Sequence, residues 1–227
     1  NFGVVIHDSE TGRTASIDAP EAEKIAEIVK AKGWTLTDIM VTHHHADHTQ
    51  GIAALKQEFG AHVAGPKGEA DKIPGIDEAV VEGALFEFGG YGFEVIETPG
   101  HTAGHIVYYS PKAGVLFAGD TLFSLGCGRV FEGDKEMMWS SLSKLMRLLP
   151  DDTAIYCGHE YTAANARFAQ TIEPANRDLQ ARAEEVAALR ASGKATLPTT
   201  MRLEKATNPF LRAGEATVAA ALGMDGK

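Results

Sequence analysis

Val41-Thr42-His43-His44-His45-Ala46-Asp47-His48 is the stretch from which the rest of the chain is read. It spells His-x-His-x-Asp-His directly after Ile39-Met40-Val41, an apolar run with strand character. Thr49, Gln50 and Gly51 then open a helical pattern. The motif's three imidazoles and its carboxylate therefore sit on a tight loop at a strand end. In an extended segment, side chains at i and i+2 point the same way. His43 and His45 are thus placed to share one metal ion, and the turn that follows swings Asp47 and His48 toward a neighbouring position. Imidazole nitrogen with carboxylate oxygen suits zinc, iron or manganese.

Three more residues of metal-binding type fall at strand ends. His101 follows Thr98-Pro99-Gly100, Asp120 follows Phe117-Ala118-Gly119, and His159 follows Tyr156-Cys157-Gly158. A glycine stands immediately before each, which permits a sharp turn and a close approach to a crowded centre. Counting ligands, His43, His45 and His101 give one metal three nitrogens. Asp47, His48 and His159 give a second metal two nitrogens and an oxygen, and Asp120 bridges both through its two carboxylate oxygens. Each ion keeps an open position, the mark of a catalytic site rather than a structural one. His7, His44 and His62 read as surface or packing residues. His105 reads as a packing residue or as one that orients a ligand from behind.

The chain has 227 residues, 44% of them apolar, enough for one large domain or one domain with a smaller companion. No run approaches 18 consecutive apolar residues, so no membrane association is expected. A net charge of −10 argues against nucleic acid as a partner, because phosphate binding needs a basic face. Cys127 and Cys157 form no disulfide framework, which fits a reducing compartment such as the cytoplasm. The chain begins at Asn1 and Val4-Val5-Ile6 already reads as a strand, so the start looks truncated and no signal peptide is expected within it.

Residues 3–7 and 14–18 read as strands around a turn-rich loop. Asp18 and Glu21 have the spacing of a capping box, and Ala22, Ile25, Ile28 and Val29 mark a helix stripe that Gly33 stops. Residues 51–59 are expected to be helical and 61–64 a strand. Hairpins are expected at 86–98, turned by Gly89-Gly90-Tyr91-Gly92, and at 106–118, turned by Pro111-Lys112-Ala113-Gly114. Asp134 caps a helix with the stripe Met138, Leu142, Leu145 and Leu149, and 154–156 is the last strand. Beyond about residue 161 only helices are expected, over 162–173, 175–191 and 215–222. The reading is a β-rich α/β domain followed by a small helical one.

The motif His43-x-His45-x-Asp47-His48 with His101, Asp120 and His159 resembles that of the metallo-β-lactamase superfamily. Three further stretches make the chain more similar to glyoxalase II, the hydroxyacylglutathione hydrolase family: Gly126-Cys127-Gly128-Arg129-Val130-Phe131-Glu132-Gly133, Cys157-Gly158-His159-Glu160-Tyr161-Thr162 and Asn208-Pro209-Phe210-Leu211-Arg212. The resemblance implies an αββα sandwich over 1–160 with a binuclear metal site, zinc before iron or manganese. It also implies a helical substrate-binding domain over 161–227. Carried onto this chain, it places Arg129, Phe131, Tyr161 and Asn165 at the substrate. Two departures stand out. Phe131 lacks the hydroxyl of the tyrosine that the family often has there, and the C-terminus offers only Lys227 where many members have a basic helix.

The implied activity is hydrolysis of S-(2-hydroxyacyl)glutathione thioesters such as S-D-lactoylglutathione to glutathione and D-lactate, the second step of methylglyoxal detoxification. A water held between two divalent ions, with Asp47 and Asp120 holding the ions, loses a proton near neutral pH and attacks the thioester carbonyl. The thiolate, with a reference pKa of about 8.5, leaves without a strong general acid. The competing readings are a mononuclear-iron persulfide dioxygenase on the same fold and a non-catalytic metal-binding protein.

Overall fold

The computed structural model describes residues 1–224, so Lys227 lies outside the described residues. Two sheets form the centre. The first has the order β1 (Val4–His7), β2 (Thr14–Ile17), β3 (Asp38–Met40), β4 (His62–Pro66), β5 (Glu78–Val80). Its β1–β2 pair is antiparallel and its other pairs are parallel. Parallel neighbours require crossovers, supplied here by α1 (Ala22–Ala31) and by the one-turn α2 (Ala46–Thr49) with α3 (Ile52–Phe59).

The second sheet contains β6 (Leu85–Phe88), β7 (Tyr91–Glu97), β8 (Ile106–Ser110) and β9 (Val115–Gly119), all antiparallel neighbours. The β6–β7 turn is the two residues Gly89-Gly90, both at positive φ, so Tyr91 already belongs to the strand. A two-stranded ribbon follows, β10 (Leu122–Phe123) with β11 (Gly126–Cys127). Then come α4 (Lys135–Leu148) and β12 (Ala154–Cys157), which joins β9 in parallel. The expected cap of α4 is present: the Asp134 carboxylate accepts from the backbone N–H of Met137 at 2.7 Å.

Strand alternation builds the layers. On β8, Ile106 and Tyr108 face the first sheet, while Val107 and Tyr109 face outward toward α4. The inner core joins Ala15, Met40 and Ala64 of one sheet to Phe93, Tyr108 and Phe117 of the other. Outside the first sheet, Ile25 and Val29 of α1 and Ile52 and Leu55 of α3 cover Ile39 and Val63. Outside the second, Met138, Leu142 and Leu145 of α4 cover Val107 and Leu116. The result is the αββα sandwich expected from the sequence.

Three expectations are corrected. Ile28 is half exposed, so the buried stripe of α1 is Ile25, Ala26 and Val29. Asp18 caps no helix: α1 begins after Glu21, with no side-chain cap. Strands also do not stop at residue 161. After α5 (Thr162–Ile172) and α6 (Arg177–Ala191), the short β13 (Thr199–Thr200) returns to pair with β12. A further helix, α7 (Met201–Thr207), was not anticipated, while α8 (Ala216–Ala221) was.

Candidate metal centre

β2, β3, β7, β9 and β12 all end at one rim of the sandwich, and each delivers one part of the site there. The loop after β3 carries His43 and His45, and α2 carries Asp47 and His48. His101 follows β7, Asp120 follows β9 and His159 follows β12. All seven sequence-predicted residues converge. His43, His45 and His101 offer nitrogens within 4.8 Å of one another, and so do the ligand atoms of Asp47, His48 and His159. Asp120 lies between the groups, its Oδ2 3.4 Å from His101 Nε2 and 3.1 Å from His159 Nε2.

Hydrogen bonds behind the rings set which nitrogen faces inward. His48 Nδ1 donates to Asp18 Oδ2 at 2.7 Å, and His101 Nδ1 donates to the Arg129 carbonyl at 2.7 Å. Thr42 Oγ1 donates to the Asp18 carboxylate at 2.9 Å and accepts from His43 Nδ1 at 3.0 Å. Nε2 is thereby the nitrogen that all three rings turn toward the centre. His105, fully buried, accepts the Asp120 backbone N–H at its Nε2, 3.0 Å away, and so orients the candidate bridging residue from behind. Asp18 carries the same kind of role, which the sequence did not reveal.

The donor set fits a cation. His43 Nε2 and Asp120 Oδ1 are buried and have no hydrogen-bond partner among the described residues. Such an atom costs about 1–3 kcal/mol when left bare. Imidazole nitrogens also face each other closely, His45 Nδ1 to His101 Nε2 at 3.0 Å and His48 Nε2 to His159 Nε2 at 3.3 Å. Two lone pairs at such distances repel unless a proton or a cation lies between them.

Electrostatics agrees. Burial keeps His43, His45 and His101 neutral by lowering their pKa values, and it pushes His105 down to about 3. Burial opposes charge on His48 too, but Asp18 and Asp120 outweigh it and raise that imidazole to about 10. Burial works against ionising Asp120, yet the rings of His159 and His48 hold its carboxyl well below the usual range. Burial raises the Cys127 and Cys157 thiols to about 12, which makes neither a nucleophile at neutral pH.

Two of the glycines that precede ligand candidates are required by close approach. A Cβ on Gly119, whose φ is +47°, would lie 2.6 Å from Thr42 Oγ1. One on Gly158 would lie 2.4 Å from Asp120 Oδ1. The site opens into a cavity of about 560 Å³ whose outer wall includes Phe123, Arg129, Phe131, Glu132 and Tyr161. Tyr161 stacks flat on His159, with ring centroids 4.8 Å apart. Glu132 was not expected in this wall; the Ala103 N–H, His44 and Lys72 hold its carboxyl below its ordinary value, so it is no proton donor. Asn165 stands behind the wall, its amide donating to the Ser124 carbonyl at 2.9 Å. His7 stacks on Trp34, and His62 is exposed beside Glu78. His44 is tied to the buried Glu69 at 2.8 Å.

The family model of the metallo-β-lactamase superfamily matches residues 10–159, and that of the hydroxyacylglutathione hydrolase C-terminus matches residues 160–227. The hydroxyacylglutathione hydrolase of Rhizobium meliloti (strain 1021) is 57% identical over 225 residues, which is 99% of this chain and 88% of that protein. The chain belongs to the hydroxyacylglutathione hydrolase family of the metallo-β-lactamase superfamily. Among solved structures, the B3 metallo-β-lactamase BLEG-1 shares the fold, with a TM-score of 0.68 and 23% identity over 91% of this chain and 92% of that one. TTHA1623 in a di-iron-bound form aligns with a TM-score of 0.65 and 25% identity, over 92% of this chain and 94% of that one. The His and Asp clusters mark this hydroxyacylglutathione hydrolase relative as a divalent-metal protein. Among the described residues no helix is long and apolar enough to cross a membrane.

Proposed function

We propose that the chain is a metal-dependent thioester hydrolase acting on S-(2-hydroxyacyl)glutathione, with S-D-lactoylglutathione as the reference substrate. The observation that carries this reading is the pair of His-rich groups meeting at Asp120, on the floor of a cavity walled by Arg129, Phe131 and Tyr161. The match of residues 160–227 to the hydrolase C-terminus favours it over a persulfide dioxygenase on the same fold.

The finer reading is binuclear. His43, His45 and His101 would hold one ion, Asp47, His48 and His159 the other, and Asp120 both. Zinc is the first expectation, with iron or manganese also suited to nitrogen and oxygen ligands; the di-iron form of TTHA1623 shows what that relative of the fold accommodates. A bound divalent ion supplies Lewis acidity, lowering the pKa of a water and favouring negative charge on a carbonyl oxygen.

The chain's own residues do the rest. Asp18, Thr42 and His105 hold three site residues in register from behind. Arg129 meets the anionic glutathione part, and Tyr161 offers a hydroxyl at the cavity mouth. Phe131 contributes an apolar face only, and Asn165 acts by holding the loop behind the wall. The departing thiolate is stable enough to leave without a proton donor, which suits a wall whose free carboxyl, Glu132, is ionised. Residues 1–160 would form the catalytic domain and 161–227 the part that completes the substrate wall. The two unpaired cysteines suit a cytoplasmic setting.

The test is to compare S-D-lactoylglutathione with a small thioester lacking glutathione, using metal-loaded protein. A clear preference in kcat/KM for the glutathione thioester is expected. Equal rates, or none, would overturn the assignment.

A further inference from the structure

The segment from Thr121 to Arg129 begins one residue after Asp120 and ends at the residue whose carbonyl accepts from His101. It runs through β10 and β11 and passes so close beneath the site that a Cβ on Gly128 would lie 1.8 Å from the Asp120 carbonyl oxygen. Its Phe123 lines the cavity and packs edge-on against both His159 and Tyr161, at 5.9 and 5.6 Å. At its tip Leu125 is held at a φ of +60°, a left-handed conformation that a leucine rarely adopts. Such a residue persists only where its surroundings dictate it.

Those surroundings come from the last third of the chain. Glu204 of α7, fully buried, accepts the Leu125 N–H at 2.9 Å through Oε2. Asn208 donates its amide to the Gly126 carbonyl at 2.9 Å, to the Phe123 carbonyl at 3.3 Å and to Glu204 Oε2 at 2.9 Å. Arg182 of α6, also buried, pairs with Glu204. Its guanidinium donates to Ser124 Oγ at 2.9 Å, to Thr199 Oγ1 at 2.7 Å and to Thr207 Oγ1 at 2.5 Å. A buried ion pair adds little net stability compared with apolar packing of the same volume, so stability alone is a weak reason for this one. The fixed fork of Arg182 does supply direction; Ser124 and Leu125 bond directly to the ion pair, and Phe123 and Gly126 reach it through the Asn208 amide.

We propose that Arg182 and Glu204 are positioning residues for the substrate wall: through Ser124 and Leu125 they set the place of Phe123 and, at the end of the same segment, of Arg129. The proposal rests on the hydrolase reading above. It makes the helical part of the chain a determinant of how the thiol side of the substrate is held, although Arg182 and Glu204 themselves bond to neither metal ligands nor substrate.

Glu204→Gln keeps the size of the side chain but removes the charge that pairs Arg182. Ser124→Ala removes one tie and leaves the ion pair whole. Both variants are measured for metal content, for steady-state kinetics on S-D-lactoylglutathione and on a small thioester, and for hydrogen exchange of peptides covering 121–131. Glu204→Gln is expected to raise KM for the glutathione thioester about tenfold, and Ser124→Ala about threefold, as a displaced binding wall would. With metal supplied in excess, the small-thioester rate should hold, while exchange over 121–131 speeds up. An unchanged KM in folded Glu204→Gln, or parallel losses on both substrates with loss of metal, overturns the proposal. If Glu204→Gln does not fold, Ser124→Ala decides, and an unchanged KM there overturns it. If the parent protein does not hydrolyse the glutathione thioester at all, the functional reading falls by itself. Exchange over 121–131 then decides this one, and unaltered protection overturns it.

Discussion

The Asp18 carboxylate accepts the Nδ1–H of His48 at 2.7 Å and, on its other side, the backbone N–H of Thr42 at 2.7 Å. One buried side chain at the end of β2 thus fixes both ends of the His43–His48 segment. Outer hydrogen bonds of this kind typically change metal affinity by about 10–100-fold. Asp18→Asn should therefore weaken metal binding in that range while the chain still folds, as read by competition with a chelator. Unchanged affinity would mean that Asp18 serves the turn at φ +58° rather than the ligand.

Asp120→Ala should lower metal occupancy at both positions, because one carboxylate stands between the two His groups. Elemental analysis of the purified variant checks this. Full retention of two ions would refute the bridging assignment.

Gly158→Ala adds one methyl group 2.4 Å from Asp120 Oδ1 and 2.7 Å from His48 Cε1. Catalytic geometry is sensitive to displacements near 1 Å, so kcat should fall by about tenfold or more. The melting temperature should move far less. Activity within twofold of the parent would show that the rim yields more easily than its contacts indicate.

Arg129→Ala and Tyr161→Phe should reduce kcat/KM for glutathione thioesters, chiefly through KM, with metal content intact. Loss of a charge-assisted hydrogen bond, about 1.5–3 kcal/mol, sets the scale for Arg129. Tyr161→Phe keeps the ring stacked on His159 and removes only the hydroxyl. Phe131→Tyr should lower KM. Equal losses on small thioesters would assign these residues to the metal site instead.

Glu173 accepts from Arg212 at 2.7 and 2.9 Å and from Thr217 at 2.8 Å, and these bonds, Arg212's first, lower its pKa. A lowered folded pKa means stability that is present above the unfolded value of about 4.3. That stability is lost as pH falls through the folded value. Glu173→Gln should destabilise the protein at pH 7 and flatten the acid limb of its stability curve below about pH 4. Urea titrations at pH 7 and pH 3 test this, and an equal loss at both would argue against the linkage.

Much of the site was legible because metal ligands are few in kind and must meet. The His43–His48 motif and the three glycine-preceded residues His101, Asp120 and His159 needed no knowledge of the fold. The hairpins and α4 were legible from alternation and from Asp134. Asp18 was not, because Asp18-x-x-Glu21 has the spacing of a capping box while its left-handed backbone turns the carboxylate inward. β13 escaped because two residues carry no periodicity, and they are a strand only because β12 offers them an edge. The hold of Arg182, Glu204 and Asn208 on residues 123–126 joins positions about 60 to 85 apart in the chain. No local pattern reports such a contact.

The most direct test is one preparation assayed for metal content and for S-D-lactoylglutathione hydrolysis before chelation, after it, and after metal is restored. Close to two divalent ions per chain are expected, with hydrolysis that disappears when they are removed and recovers when they return. Hydrolysis that persists in the metal-free protein, or its absence from a chain carrying both ions, would contradict the metal-dependent reading.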